Sequence, residues 1–222
     1  MTQHIAVTTE DATACLRGYP VIGAVASVVR LTGASHNTVF HLFTGKGEFF
    51  LKVLTSHAAE STEERYEFLD WAAGQFRRIG VEAPVAIRNA EGRRLTPCGG
   101  YPAVLSAALG GDEFHEERRA QQESVGRALG LFHRTAARNT PRGSSWLKPL
   151  GGYLLHDRSL LDDLPDVPEA PAIRQWWDEL VARSGRIARE LEDCGYAALP
   201  RSAVHSEVTG KHLRVRGDRV SG

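Results

Sequence analysis

His205-Ser206-Glu207-Val208-Thr209-Gly210-Lys211-His212-Leu213 is the stretch on which the fold of this 222-residue chain turns. It sets an imidazole, a carboxylate and a second imidazole in one short loop. A helix and a loop precede it. A strand over His212 to Val215, a Gly217-Asp218 turn and the start of another strand follow it. Working backwards, Ala170 to Asp193 places Ile173, Trp177, Leu180, Ile187 and Leu191 on one side of a long amphipathic helix, which Gly195 closes. Arg158 to Leu164 reads as a short helix, and the Gly-, Pro- and Ser-rich stretch from Thr140 to Gly152 as a loop. Glu116 to Ala136 is helical, with Val125, Leu129 and Phe132 as its apolar stripe.

The front half is β-rich. A short helix over Thr8 to Arg17, capped by Thr8 or Thr9 and ended by Gly18, comes first. Strands are predicted at Val25 to Leu31, Asn37 to Phe43 and Glu48 to Leu54. The turns between them are Thr32 to His36 and Thr44-Gly45-Lys46-Gly47. Ser61, with Glu64 three residues on, forms a capping box for a helix reaching Gly74. Gly80 to Val85 breaks that helix and starts another strand. Arg88 to Arg94 is a turn, Tyr101 to Leu105 a further strand, and Ala107 to Gly111 a Gly-rich connector.

Composition bounds the class. Apolar residues make up 42% and charged residues 24%, with 27 Lys+Arg against 27 Asp+Glu, as in an ordinary globular chain. No basic excess points to nucleic acid or an anionic membrane. No apolar run approaches the roughly 18–20 residues that span a bilayer, and Met1 to Glu10 lacks the features of a signal peptide. Cys15, Cys98 and Cys194 are far apart in sequence and form no CxxC pair. They argue against a disulfide framework or a zinc site and favour a reducing compartment. The cytoplasm is the expected location.

Two features of the front half suit phosphoryl transfer, which needs a small-residue turn and a cation over the phosphates and carboxylates for magnesium and the acceptor. Gly33-Ala34-Ser35-His36-Asn37 lies between two strands, where small residues let backbone N–H groups approach anions. A polar hairpin turn is the simpler account of it. Lys52 is the one cation in an apolar strand. Either it is solvated at an edge, or it lies over phosphates, held by a helix carboxylate such as Glu64 or Glu67. His133 reads as a satisfied structural histidine on a core-facing stripe. Trp176 and Trp177 suit either substrate stacking or core packing. Asp157, Asp162, Asp163 and Asp166 read as a solvated acidic loop that would also suit a polycationic substrate.

The 205–213 stretch resembles the catalytic loop of the aminoglycoside phosphotransferase and choline-kinase-like family, His-Gly-Asp-x-x-x-x-Asn, followed by strand, turn and strand ending in Asp-Phe-Asp. His205 matches the His, Glu207 the catalytic Asp and His212 the metal-binding Asn. Ser124 to His133 is similar to a helix of the family, and the likeness runs co-linearly over roughly residues 25–222. The resemblance implies an α+β, protein-kinase-like two-lobe fold. Residues 1–106 would form a small antiparallel-sheet nucleotide-binding lobe, and 107–222 a partial, mostly helical catalytic lobe.

It also implies ATP or GTP and Mg2+ as cofactors, and a small-molecule hydroxyl as acceptor. Gly33, Ser35, Asn37, Lys52 and Glu64 would serve the nucleotide. Lys52 would hold the phosphates, His212 would help bind magnesium, and Glu207, with His205 in the same loop, would orient and deprotonate the acceptor. The departures are Glu for Asp at 207, His for Asn at 212, and an end at Val220-Ser221-Gly222, before the Asp-Phe-Asp segment. They support a competing expectation, an inactive truncated homologue that binds nucleotide, ligand or a protein partner. In a gene fragment, the open C-terminal edge would invite aggregation or a homodimer.

Overall fold

A computed structural model describes residues 7–32, 37–55, 62–141, 170–195, 203 and 208–222. Two compact units are present, Met1–Ser144 with Ser202–Gly222, and Ser145–Arg201. No helix among the described residues is long and apolar enough to cross a membrane.

The first unit is built on a five-stranded sheet. Helix α1 (Thr9–Leu16) and a 3-10 turn (Pro20–Ile22) lead into β1 (Val25–Arg30), β2 (Thr38–Thr44) and β3 (Gly47–Val53). These three strands lie where the alternating apolar runs place them. Helix α2 (Glu63–Arg78) intervenes before β4 (Leu95–Cys98) and β5 (Tyr101–Ala107), and the sheet order is β1-β2-β3-β5-β4. Every pairing is antiparallel. Strand β3 is therefore the middle strand, bonded to β2 on one side and β5 on the other.

One face of this sheet is closed. Phe40, Leu42, Leu51, Val53, Ala103 and Leu105 are fully buried on it, against Ala12, Leu16, Tyr19 and Ile22 of the N-terminal segment. Thr8 caps α1: its hydroxyl accepts from the Asp11 amide, and the Asp11 carboxylate accepts from the Thr8 amide. These bonds hold the Asp11 carboxyl below its usual range, the backbone bond from Thr8 most of all.

Three local expectations are corrected. The N-cap of α2 is Thr62, whose hydroxyl accepts from the Arg65 amide at 3.2 Å, so the cap lies one residue after Ser61 and the Ser61–Glu64 capping box does not define the helix start. The helix also runs past Gly74 to Arg78, because one Gly inside a helix costs only about 1 kcal/mol. The stretch 81–85 pairs with no strand; its Glu82 amide donates instead to the Ser221 carbonyl at 2.8 Å. The strand lies later, at β4, where Pro97 is tolerated because β4 is the sheet edge. Gly99 and Gly100, both at positive φ, make the tight turn into β5.

A second, three-stranded sheet joins β6 (Asp112–Glu113), β7 (Arg214–Arg216) and β8 (Arg219–Val220). Helix α3 (Arg119–Asn139) holds it through polar side chains. Gln121, 1% exposed, donates to the Gly217 carbonyl at 2.9 Å and accepts from the His115 amide at 2.8 Å. The Ser124 hydroxyl accepts from the Val220 amide. Phe132 of α3 stacks on Phe76 of α2, centroids 4.1 Å apart. In the second unit, α4 (Ala170–Asp193) spans the predicted residues, with Trp176 exposed and Trp177 half-buried. The predicted helix 158–164 and the four aspartates at 157, 162, 163 and 166 lie outside the described residues.

Candidate active site

Strand alternation puts Lys52 on the sheet face opposite the core, because its neighbours Leu51 and Val53 are both 0% exposed on the other side. Val39 of β2 and Val104 of β5 flank it in register. Its side chain is exposed, yet the surrounding protein pushes its amine below the ordinary lysine value, and the Arg65 guanidinium adds to the shift. Partial burial and a like charge both disfavour the ammonium.

Glu64 does not pair with Lys52. The first turn of α2 turns Glu63 toward the start of β4, where its carboxylate accepts from the Arg94 and Leu95 amides. Successive helix residues are set about 100° apart, so Glu64 points elsewhere, exposed on the helix surface, and Arg65 is the charged group near Lys52. The start of α2 is fixed further by Arg94, whose Nε donates to Asp70 at 2.7 Å while the other Asp70 oxygen accepts from the Ala86 amide at 3.0 Å.

The same face carries an aromatic group that the sequence reading did not single out. Phe50 stands two residues before Lys52 and pairs with His41 across β2–β3. Their rings are stacked, with centroids 4.6 Å apart, and Phe43 packs on His41 at 4.3 Å. The His41 ring nitrogen meets Glu48 Oε2 at 2.8 Å. Period-two spacing from Lys52 back to Phe50 and Glu48 was the available signal. The result is an open surface with stacking area at one end and cationic charge at the other.

His212 ends a 3-10 turn (Gly210–His212) and is exposed, its Nδ1 at 3.0 Å from the Thr209 hydroxyl. It stands at the rim of an apolar cavity of about 120 Å³ walled by Phe76, Val125, Leu129, Leu213 and Val220. Lys52 does not line that cavity. Among the described residues no three His, Cys, Asp or Glu side chains come together as a metal site. One imidazole is a poor fit for magnesium, which prefers oxygen ligands. Asn37 is half-buried just before β2; Gly33, Ser35, His205 and Glu207 lie outside the described residues. His133 packs edge-on against Phe132, and its buried Nε2 has no hydrogen-bond partner among the described residues.

Comparison with known proteins places this geometry. The chain is 27% identical to a homoserine kinase of Methylobacillus glycogenes over 226 aligned residues, covering all of this chain and 64% of that one. A homoserine kinase of Sinorhizobium medicae is 23% identical, with the same coverage. The chain thus spans just under two thirds of the length of these relatives. Among solved structures, aminoglycoside phosphotransferase APH(4)-Ia superposes with a TM-score of 0.60 at 13% identity, over 96% of this chain and 69% of that one. Spectinomycin phosphotransferase APH(9)-Ia, solved with ADP and spectinomycin, gives 0.57 at 12% identity, over 99% and 68%. These likenesses carry the fold: α+β and kinase-like, with an antiparallel N-terminal sheet. Residues 27–222 match the phosphotransferase enzyme family, and with the match covering most of its length the chain belongs to that family.

Proposed function

We propose that this chain binds ATP or GTP on the open face of its five-stranded sheet and transfers the γ-phosphoryl group to a hydroxyl of a small molecule. The observation that carries the reading is Lys52. An amine on the middle strand, on the sheet face opposite the core, with no carboxylate of the described residues in ion-pair contact, is suited to phosphate oxygens. Bound phosphate would offset the cost that partial burial and Arg65 place on the ammonium. Phe50 and His41 offer a nucleobase a stacking surface beside it.

Glu207, matched to the family's catalytic carboxylate, would accept the proton of the acceptor hydroxyl as its oxygen bonds phosphorus and the nucleoside diphosphate leaves. His205 would support that loop. Magnesium, when bound with the nucleotide, would neutralise phosphate charge; the described residues assign it no site. The homoserine kinases among the relatives support a hydroxyl amino acid as the first acceptor, and the phosphotransferase structure solved with spectinomycin supports an antibiotic hydroxyl as the second.

A second reading, nucleotide binding without turnover, is favoured by Glu207 and His212 standing where the family carries Asp and Asn. Incubation with γ-labelled nucleotide, magnesium and a panel of homoserine, hygromycin B and spectinomycin separates the two. Labelled product that falls at least about 100-fold in Lys52→Met supports transfer, since about 2.7 kcal/mol of electrostatic stabilisation is typical of one such contact. Nucleotide binding with no product from any acceptor supports the second reading. No binding at all contradicts both.

A further inference from the structure

Folding brings together two of the three cysteines. Cys15 lies in the last turn of α1, 6% exposed, and Cys98 ends β4, 2% exposed; both are free thiols. Contacts at either end fix α1 against β4. The turn after β4 presses on the start of α1: a Cβ on Gly99 would meet the Val7 methyls at 3.3 Å and the Asp11 carboxyl carbon at 3.4 Å. At the other end, the Tyr19 hydroxyl accepts from the Thr96 hydroxyl at 2.9 Å, and burial pushes the phenol up to about 12. Between these two fixed points Cys15 and Cys98 are both buried in the same core.

The two thiols are not equivalent. Cys98 and burial together push Cys15 far up, whereas the neighbouring Cys15 thiol holds Cys98 below the ordinary thiol value. The neighbouring thiol thus favours ionisation of Cys98 over that of Cys15. Two buried cysteines can be inert apolar filler. Two thiols on a short helix and an edge strand are placed for more, because α1 has only eight residues and β4 is the outermost strand, so either can open locally without the whole core.

We infer that Cys15 and Cys98 form a reversible disulfide that staples α1 to β4 when the chain meets a small-molecule disulfide. The Cys98 thiolate attacks one sulfur of the oxidant and releases its first thiolate, leaving a mixed disulfide. The Cys15 thiolate then attacks the Cys98 sulfur and releases the second. The two thiol protons pass to the two released thiolates, so the oxidant gains the two electrons that the pair loses. In a reducing compartment such a bond is transient, as redox-sensing disulfides are. It would tie the N-terminal segment to the core that also holds Leu51 and Val53, the neighbours of Lys52.

The test uses the full chain carrying Cys194→Ser, which removes the exposed third thiol. The folded protein is held with oxidised glutathione, and intact mass, thiol count and a non-reduced peptide map are recorded. The expected result is loss of two hydrogens, a Cys15–Cys98 linked peptide, and a Tm raised by about 5 °C or more that dithiothreitol reverses. Adding Cys15→Ser should abolish the linked peptide and the Tm rise. Thiols that stay reduced in the folded chain, that end as separate glutathione adducts, or that join only in denaturant would overturn the inference. So would an equal Tm rise in the chain lacking Cys15.

Discussion

The two faces of the five-stranded sheet are made by alternate residues of the same strands, yet they obey different rules. On the closed face Leu51 and Val53 are fully buried under α1, and any change of volume is felt. On the open face Phe50 is half-buried against His41, Lys52 is exposed, and Val29 and Phe43 remain 48% and 38% exposed. One face supplies the rigidity and the other the chemistry. A strand does both because its side chains point to opposite sides at every step.

Substitutions in each layer separate these roles. Leu51→Ala attacks the closed face and should cost about 3 kcal/mol, lowering Tm by about 10 °C in a thermal melt. Arg94→Ala attacks the clip that fixes α2 beside the open face. Arg94 and Asp70 are 11% and 19% exposed in their side chains, so the loss leaves a largely buried carboxylate without its partner. The expected cost is about 2 kcal/mol, reduced from the fully buried case by the remaining solvent. The exposed Arg119–Glu123 pair is the contrast: Arg119→Ala should change stability by less than about 0.5 kcal/mol.

A last effect has the opposite sign. Lys52 has a lowered amine pKa in the fold, so the unfolded chain binds its proton more tightly. Stability from this group therefore rises with pH up to the unfolded value, and the cost is fully present at neutral pH. Lys52→Met should raise Tm at pH 7 by up to about 3 °C. The gain should shrink as pH approaches the ordinary lysine range. A gain that grows with pH would contradict the assigned burial.

Parts of this arrangement were legible in the chain itself. Alternating apolar residues with glycine turns marked β1 to β3, and a lone amine inside an apolar run marked Lys52. The helix over Ala170–Asp193 was legible because its stripe is long and periodic. Strand β4 was not, because its four residues include a proline and only its edge position permits that. The influence of Arg65 on the Lys52 amine depends on how α2 is rotated, which Glu63 helps to fix by accepting from the distant amides of Arg94 and Leu95. The Cys15–Cys98 contact was equally hidden, since sequence distance carries no sign of it.

Nucleotide affinity tests the role of the open face most directly. Binding of ATP and of adenosine is measured by titration calorimetry for the native chain and for Lys52→Ala. A phosphate contact at Lys52 predicts that ATP binding weakens at least about tenfold, or 1.4 kcal/mol, while adenosine is unchanged. Equal affinities for ATP in the two proteins, or an equal loss for adenosine, would contradict it.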